Sequence, residues 1–110
     1  MVFFDGKVLS ESHLKLNPLD RGLSYGDGLF ETLYWNGTEI KFLNLHWERL
    51  SQGANMLGLQ LPFVNASEIS SCAEKLGVNA SSGQRLRLQA WRKEGKGYGS
   101  ADSKAHVLLQ

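Results

Sequence analysis

The chain has one cysteine, Cys72, and two prolines. A lone cysteine leaves no disulfide to close within the chain, which fits a reducing compartment. No apolar run approaches the ~20 residues that a membrane-spanning helix needs. The opening, MVFFDGKVLS, has neither a basic start nor a long apolar stretch. No secretory signal is therefore predicted, and the chain reads as cytosolic. The glycosylation sequons Asn65-Ala66-Ser67 and Asn79-Ala80-Ser81 are then chance matches. A formal net charge of +1 supplies no electrostatic case for nucleic acid or an anionic membrane. There is no Walker-type phosphate loop, no strand-to-helix GxGxxG fingerprint, and no metal site is assigned.

What is there suits one small domain. The 110 residues are 42% hydrophobic and 10% aromatic, and a chain of this size buries roughly two-thirds of its unfolded surface. Asp5-Gly6, between Val2–Phe4 and Lys7–Leu9, predicts a small hairpin. Residues 10–20 are polar, include Pro18 and read as connection. Asp20 to Gly28 is a loop whose three glycines allow backbone angles or close approaches that side chains forbid. Leu29 to Tyr34 reads as a strand, Asn36-Gly37 as a type I′ turn, and Thr38 to Leu43 as the returning strand. Asn44 is placed to cap a helix that ends at Gly58, with Trp47, Leu50, Ala54 and Leu57 as its core stripe. His46 and Arg49 sit on the flank of that stripe.

Asn65 to Glu68 has the pattern of a capping box before a second helix that Gly77 closes. Cys72 faces inward there as a small apolar residue, with no base to activate it. Arg85, Arg87, Gln89 and Trp91 alternate with Leu86, Leu88 and Ala90 in a half-buried strand. Its two arginines read first as solvated. A Gly- and Lys-rich loop, Lys93 to Ser103, precedes a last strand, Ala105 to Leu109. The expected class is α+β, an antiparallel sheet with two helices on one face.

The ordered set Arg21-Gly22, Tyr25-Gly26-Asp27-Gly28, Phe30-Glu31-Thr32, Asn36-Gly37 and His46 to Leu50 resembles the N-terminal part of class IV aminotransferases, the fold-type IV pyridoxal-phosphate enzymes. Relatives in that family include branched-chain and D-amino-acid aminotransferases and aminodeoxychorismate lyase. The resemblance runs from about Phe4 to Leu61, with a weaker echo from Arg92 to Tyr98. It implies pyridoxal 5′-phosphate as cofactor and a small amino-acid or aminochorismate-type substrate. It also implies a homodimer and a second, C-terminal domain beyond Gln110, so the chain reads as a piece of a longer enzyme.

By that resemblance Arg49 is the phosphate-binding residue. Its planar, permanently charged fork matches phosphate oxygens, and the positions one helical turn away, Leu45, His46, Gln52 and Gly53, offer no acid to pair with it. His46 either supports Arg49 or satisfies a hydrogen bond at the helix start. Tyr25, Phe30, Thr32 and Tyr34 are the implied substrate-facing residues, against a reading of ordinary sheet packing. Many relatives carry a basic residue where this chain has Tyr34. Lys96 and Tyr98 resemble a charge and a hydroxyl that meet a substrate carboxylate. No lysine here has the apolar setting that a Schiff-base amine needs. In the family that lysine, and the carboxylate facing the pyridine nitrogen, belong to the second domain, so the chain alone is expected to be inactive. The competing reading is a non-catalytic interaction or dimerisation module, with Phe30, Tyr34, Trp35 and Trp47 as its contact surface.

Overall fold

Asp5 and Gly6 both adopt positive φ, 46° and 91°, and this tight turn joins β1 (Val2–Phe4) to β2 (Lys7–Leu9) with Phe4 opposite Lys7. The same chemistry does not operate at Asn36-Gly37. Gly37 has φ 104°, but among the described residues the only non-glycines with positive φ are Asp5 and Phe42. Instead, Asn36 Oδ1 accepts the backbone N–H groups of Thr38 and Glu39 at 3.0 and 2.9 Å. Those donors are then lost to a ladder, a competition short polar side chains often win. The predicted strand over Thr38 to Leu43 shrinks to one bridge, Trp35 to Ile40. Phe42 turns left-handed at φ 55°, and the helix starts at Leu43, so Asn44 lies inside it.

The computed structural model describes residues 1–78, 82–93 and 104–110. After a 3₁₀ turn at Glu11–His13 come α1 (Arg21–Tyr25), β3 (Gly28–Trp35), α2 (Leu43–Leu57), α3 (Ser67–Lys75), β4 (Gln84–Arg92) and β5 (Ala105–Leu109). The strands form one antiparallel sheet in the order β2-β1-β5-β4-β3. β3 pairs with β4 along its whole length, from Gly28 opposite Trp91 to Trp35 opposite Gln84.

Both longer helices cover one face. Leu50 and Ala54 of α2 and Ile69 and Ala73 of α3 join Leu33 and Leu86 of the sheet in one buried core. Gly58 ends α2 at φ 66°. At α3 the expected capping box does not form. Glu68 reaches back to the Val64 N–H at 2.7 Å, while Asn65 spends its oxygen on the Ser67 hydroxyl at 2.6 Å. Cys72 lies buried in this core, where loss of solvent pushes its thiol pKa up. That is the opposite of what a nucleophile needs. Among the described residues no helix is long and apolar enough to cross a membrane.

The opposite face carries a smaller cluster of Val2, Trp91 and Leu108, with Phe4 stacked on Trp91 at 6.0 Å. Over this cluster the stretch expected to be pure loop forms α1. Two glycines make that possible. A Cβ on Gly22 would stand 2.6 Å from Trp91 Cβ, and Gly26 at φ 63° turns its N–H back to the Arg21 carbonyl.

Gly22→Ala is therefore expected to destabilise the fold by about 1–3 kcal/mol, the usual range for overpacking a filled site. Urea unfolding followed by Trp fluorescence measures it. A midpoint equal to that of the parent chain would mean that α1 does not seat on the indole.

Candidate functional site

Strand parity sends Glu31 inward with Leu33 and Trp35, and its residue is only 6% exposed. A carboxylate on a core face is costly unless cations and donors meet it. α2 supplies them. His46 and Arg49, three residues apart, fall on the helix flank above β3. Arg49 Nε donates to Glu31 Oε1 and Oε2 at 2.9 and 3.1 Å, and His46 Nδ1 lies 3.1 Å from Oε1. An ionised carboxylate only accepts, so Nδ1 carries the hydrogen of that bond. The rest of Arg49 reaches outward, its side chain 71% exposed. Its terminal nitrogens have no partner among the described residues. The Glu31 hydrogen bond, aided by its charge, raises the Arg49 pKa above its ordinary value. An acid for Arg49 therefore does exist. It comes from the neighbouring strand and not from the helix.

A second carboxylate fixes the entry to β3. Asp27 Oδ2 accepts from Arg21 Nε at 3.1 Å and from Arg92 Nε at 2.8 Å, and the Arg92 N–H donates to the Asp27 carbonyl at 3.0 Å. Arg92 also donates to the carbonyls of Leu57 and Gly58, so it ties the loop to the end of α2. Burial works against the charged form of Asp27. Hydrogen bonds from Arg21 and Arg92 outweigh it and hold the pKa below the ordinary carboxylate value. The Arg21 guanidinium lies over the Tyr25 ring at 4.7 Å, which orients that residue.

Phe30, Thr32 and Tyr34 point to the face away from the helices, and all three are exposed. Opposite them on β4 stand Gln89, Arg87 and Arg85, and the Arg87 guanidinium covers the Phe30 ring at 4.6 Å. Alternation had placed these arginines on that face, but nothing in the sequence marked them as neighbours of Phe30. A cavity of about 400 Å³ adjoins Phe30, bounded by Gly22, Leu23, Gly28 and Gln89. Among the described lining residues Tyr25, Thr32 and Tyr34 do not occur. Arg49 and the aromatic wall thus lie on opposite faces of β3. A ligand touching both must cross the edge of that strand, which is the last in the sheet.

Residues 28–110 match the family model of amino-transferase class IV. The chain belongs to that family. It is 31% identical over 91 residues to a putative branched-chain-amino-acid aminotransferase of Methanocaldococcus jannaschii, covering 83% of this chain and 32% of that protein. A D-alanine aminotransferase of Bacillus licheniformis is 32% identical over 92 residues, with the same coverage of 83% and 32%. The 4-amino-4-deoxychorismate lyase structure from Pseudomonas aeruginosa superposes at a TM-score of 0.75 with 29% identity, covering 100% of this chain and 38% of that one. The class IV chain thus spans about a third of the length of the curated relatives it matches.

Class IV aminotransferases use pyridoxal phosphate. The donor set here fits its phosphate: a guanidinium anchored through one nitrogen, with the other two presented outward. Lys7, Lys15, Lys41, Lys75 and Lys104 are exposed and Lys93 is half-buried. Lys96 and Tyr98 lie outside the described residues.

Because the Asp27 pKa is lowered, the clamp contributes stability above the unfolded value of about 3.9 and loses it as pH falls through the folded value. Asp27→Asn is expected to flatten the stability–pH curve below roughly pH 4. At neutral pH it should cost about 1–3 kcal/mol, because Arg21 and Arg92 lose a charged acceptor. Urea unfolding across pH 2.5 to 7 reads both effects, and an unchanged acid limb would exclude the clamp.

Proposed function

We propose that this chain is the N-terminal domain of a pyridoxal-phosphate-dependent aminotransferase or aminodeoxychorismate lyase. It supplies the guanidinium that holds the cofactor's phosphate and part of the substrate pocket. The observation that carries this is Arg49, its outer nitrogens open to solvent on a helix-side flank at the sheet edge. When bound, the cofactor provides an electron sink for chemistry at the substrate's amino-bearing carbon. Arg49 binds the phosphate. Tyr25, Phe30, Thr32 and Tyr34 orient the substrate and keep water from it, and Lys96 and Tyr98 meet its carboxylate. The lysine that attaches the cofactor, and the carboxylate beside its ring nitrogen, are assigned to a second domain. The 110 residues alone are then inactive. Likeness to both aminotransferases and a lyase supports the reading at that level, with small amino-acid or aminochorismate-type substrates and a homodimeric assembly.

One observation favours the module reading: Leu23, Phe30 and Tyr34 are exposed at 73%, 58% and 46%. Its other two members are not available. Trp35 is 4% exposed in the core and Trp47 packs against it.

Equilibrium dialysis of pyridoxal phosphate against pyridoxal separates the two readings. The phosphate reading expects preference for the phosphorylated form. Arg49→Ala should cut that preference roughly 10–100-fold. Equal binding of the two compounds by the parent chain, or an undiminished preference in the variant, would overturn it.

A further inference from the structure

We infer that Glu31 is a positioning residue, one that holds Arg49 through Nε so that its two terminal nitrogens are presented as a fixed fork to a phosphate. The inference rests on the proposed role of Arg49 and adds to it the residue that sets its geometry. The bonding pattern is the first support. Glu31 takes Nε with both carboxylate oxygens, at 2.9 and 3.1 Å. A guanidinium has five donors in one plane. Engaging Nε alone restricts rotation of that plane and leaves four N–H groups outward. A carboxylate paired with the terminal nitrogens instead would occupy the fork that a phosphate needs.

The second support is energetic. Glu31 stands on the core face, 6% exposed, between Leu29 and Leu33 of its own strand face. Burying a carboxylate is costly until its partners offset the lost hydration. A partner as exposed as Arg49, at 71%, returns little, because solvent screens the pair. An apolar side chain at position 31 would pack at least as well. Stability does not account for the acid, whereas orientation does. His46, 17% exposed, fixes the same carboxylate from the preceding helical turn and removes its freedom to follow Arg49 outward.

Glu31→Leu separates the two roles. The expected result is an unfolding midpoint close to that of the parent chain, with the preference for pyridoxal phosphate over pyridoxal reduced about tenfold. In an Arg49→Ala background the same change should alter the preference by less than about twofold, because the two residues act as one unit. Should Glu31→Leu reduce the fold, Glu31→Gln decides. Its expected signature is an about threefold loss of preference, with faster solvent exchange of the Arg49 Nε–H in NMR spectra. If the preference survives Glu31→Leu, or Glu31→Gln where that variant decides, while Arg49→Ala abolishes it, Arg49 needs no positioning and the inference is overturned alone. If Arg49→Ala also leaves the preference intact, the phosphate reading and this inference fall together.

Discussion

The antiparallel pairing of β3 with β4 is the constraint on which the other arrangements depend. It runs without a break from Gly28 opposite Trp91 to Trp35 opposite Gln84. Side chains on a strand alternate between faces, so a slip of one residue would exchange the two sets. In the observed register Leu33 and Trp35 enter the core, and Glu31 comes with them beneath α2. Phe30, Thr32 and Tyr34 are left on the open face with Arg85 and Arg87. Moved by one residue, β3 would bury an aromatic set under the helices and release Glu31 to solvent, out of reach of Arg49.

β3 is then pinned at its entry and at mid-strand by two acids, each accepting from two side chains. Asp27 takes Arg21 and Arg92, whose side chains are each 11% exposed, so solvent screens these pairs little. Glu31 takes a half-buried histidine and an arginine that is largely in water. The two clusters therefore differ in kind. The first closes a loop over Trp91 and secures the end of α2, and its removal is a matter of stability. The second contributes little to stability and fixes the direction of one exposed guanidinium.

Much of this was legible in the residues. Period-two alternation places Leu86, Leu88 and Ala90 inside and Arg85 and Arg87 outside, as observed. Glycine after an apolar stripe ends α2 at Gly58. The misreadings have a common origin in contacts that local pattern does not encode. Asn36-Gly37 has the composition of a hairpin turn, but the Asn36 side chain captured the donors that a returning strand would have used. The Asp20 to Gly28 loop has too few apolar residues to suggest a helix, and α1 forms because Gly22 lets it lie on an indole 69 residues further along. Glu31 was overlooked for the same reason. A search for acids along the helix reaches one turn either way, while the acid that matters is 18 residues earlier and one layer below.

The two halves of the candidate site meet at an edge. β3 is the terminal strand of the sheet, with only the Trp35 to Ile40 bridge on its outer side among the described residues. An unpaired edge is normally shielded by charge, by a bulge or by a covering segment. Here it is flanked by a guanidinium on the helix side and by aromatic rings on the other, a combination suited to an anionic group joined to a planar ring. Under the proposed function Arg49 would hold the cofactor's phosphate and Phe30 would face the substrate, from opposite faces of the same strand. The alternation that separates Glu31 from Phe30 by one residue would then divide the labour, one side chain orienting the anion's ligand and the next lining the space for the substrate.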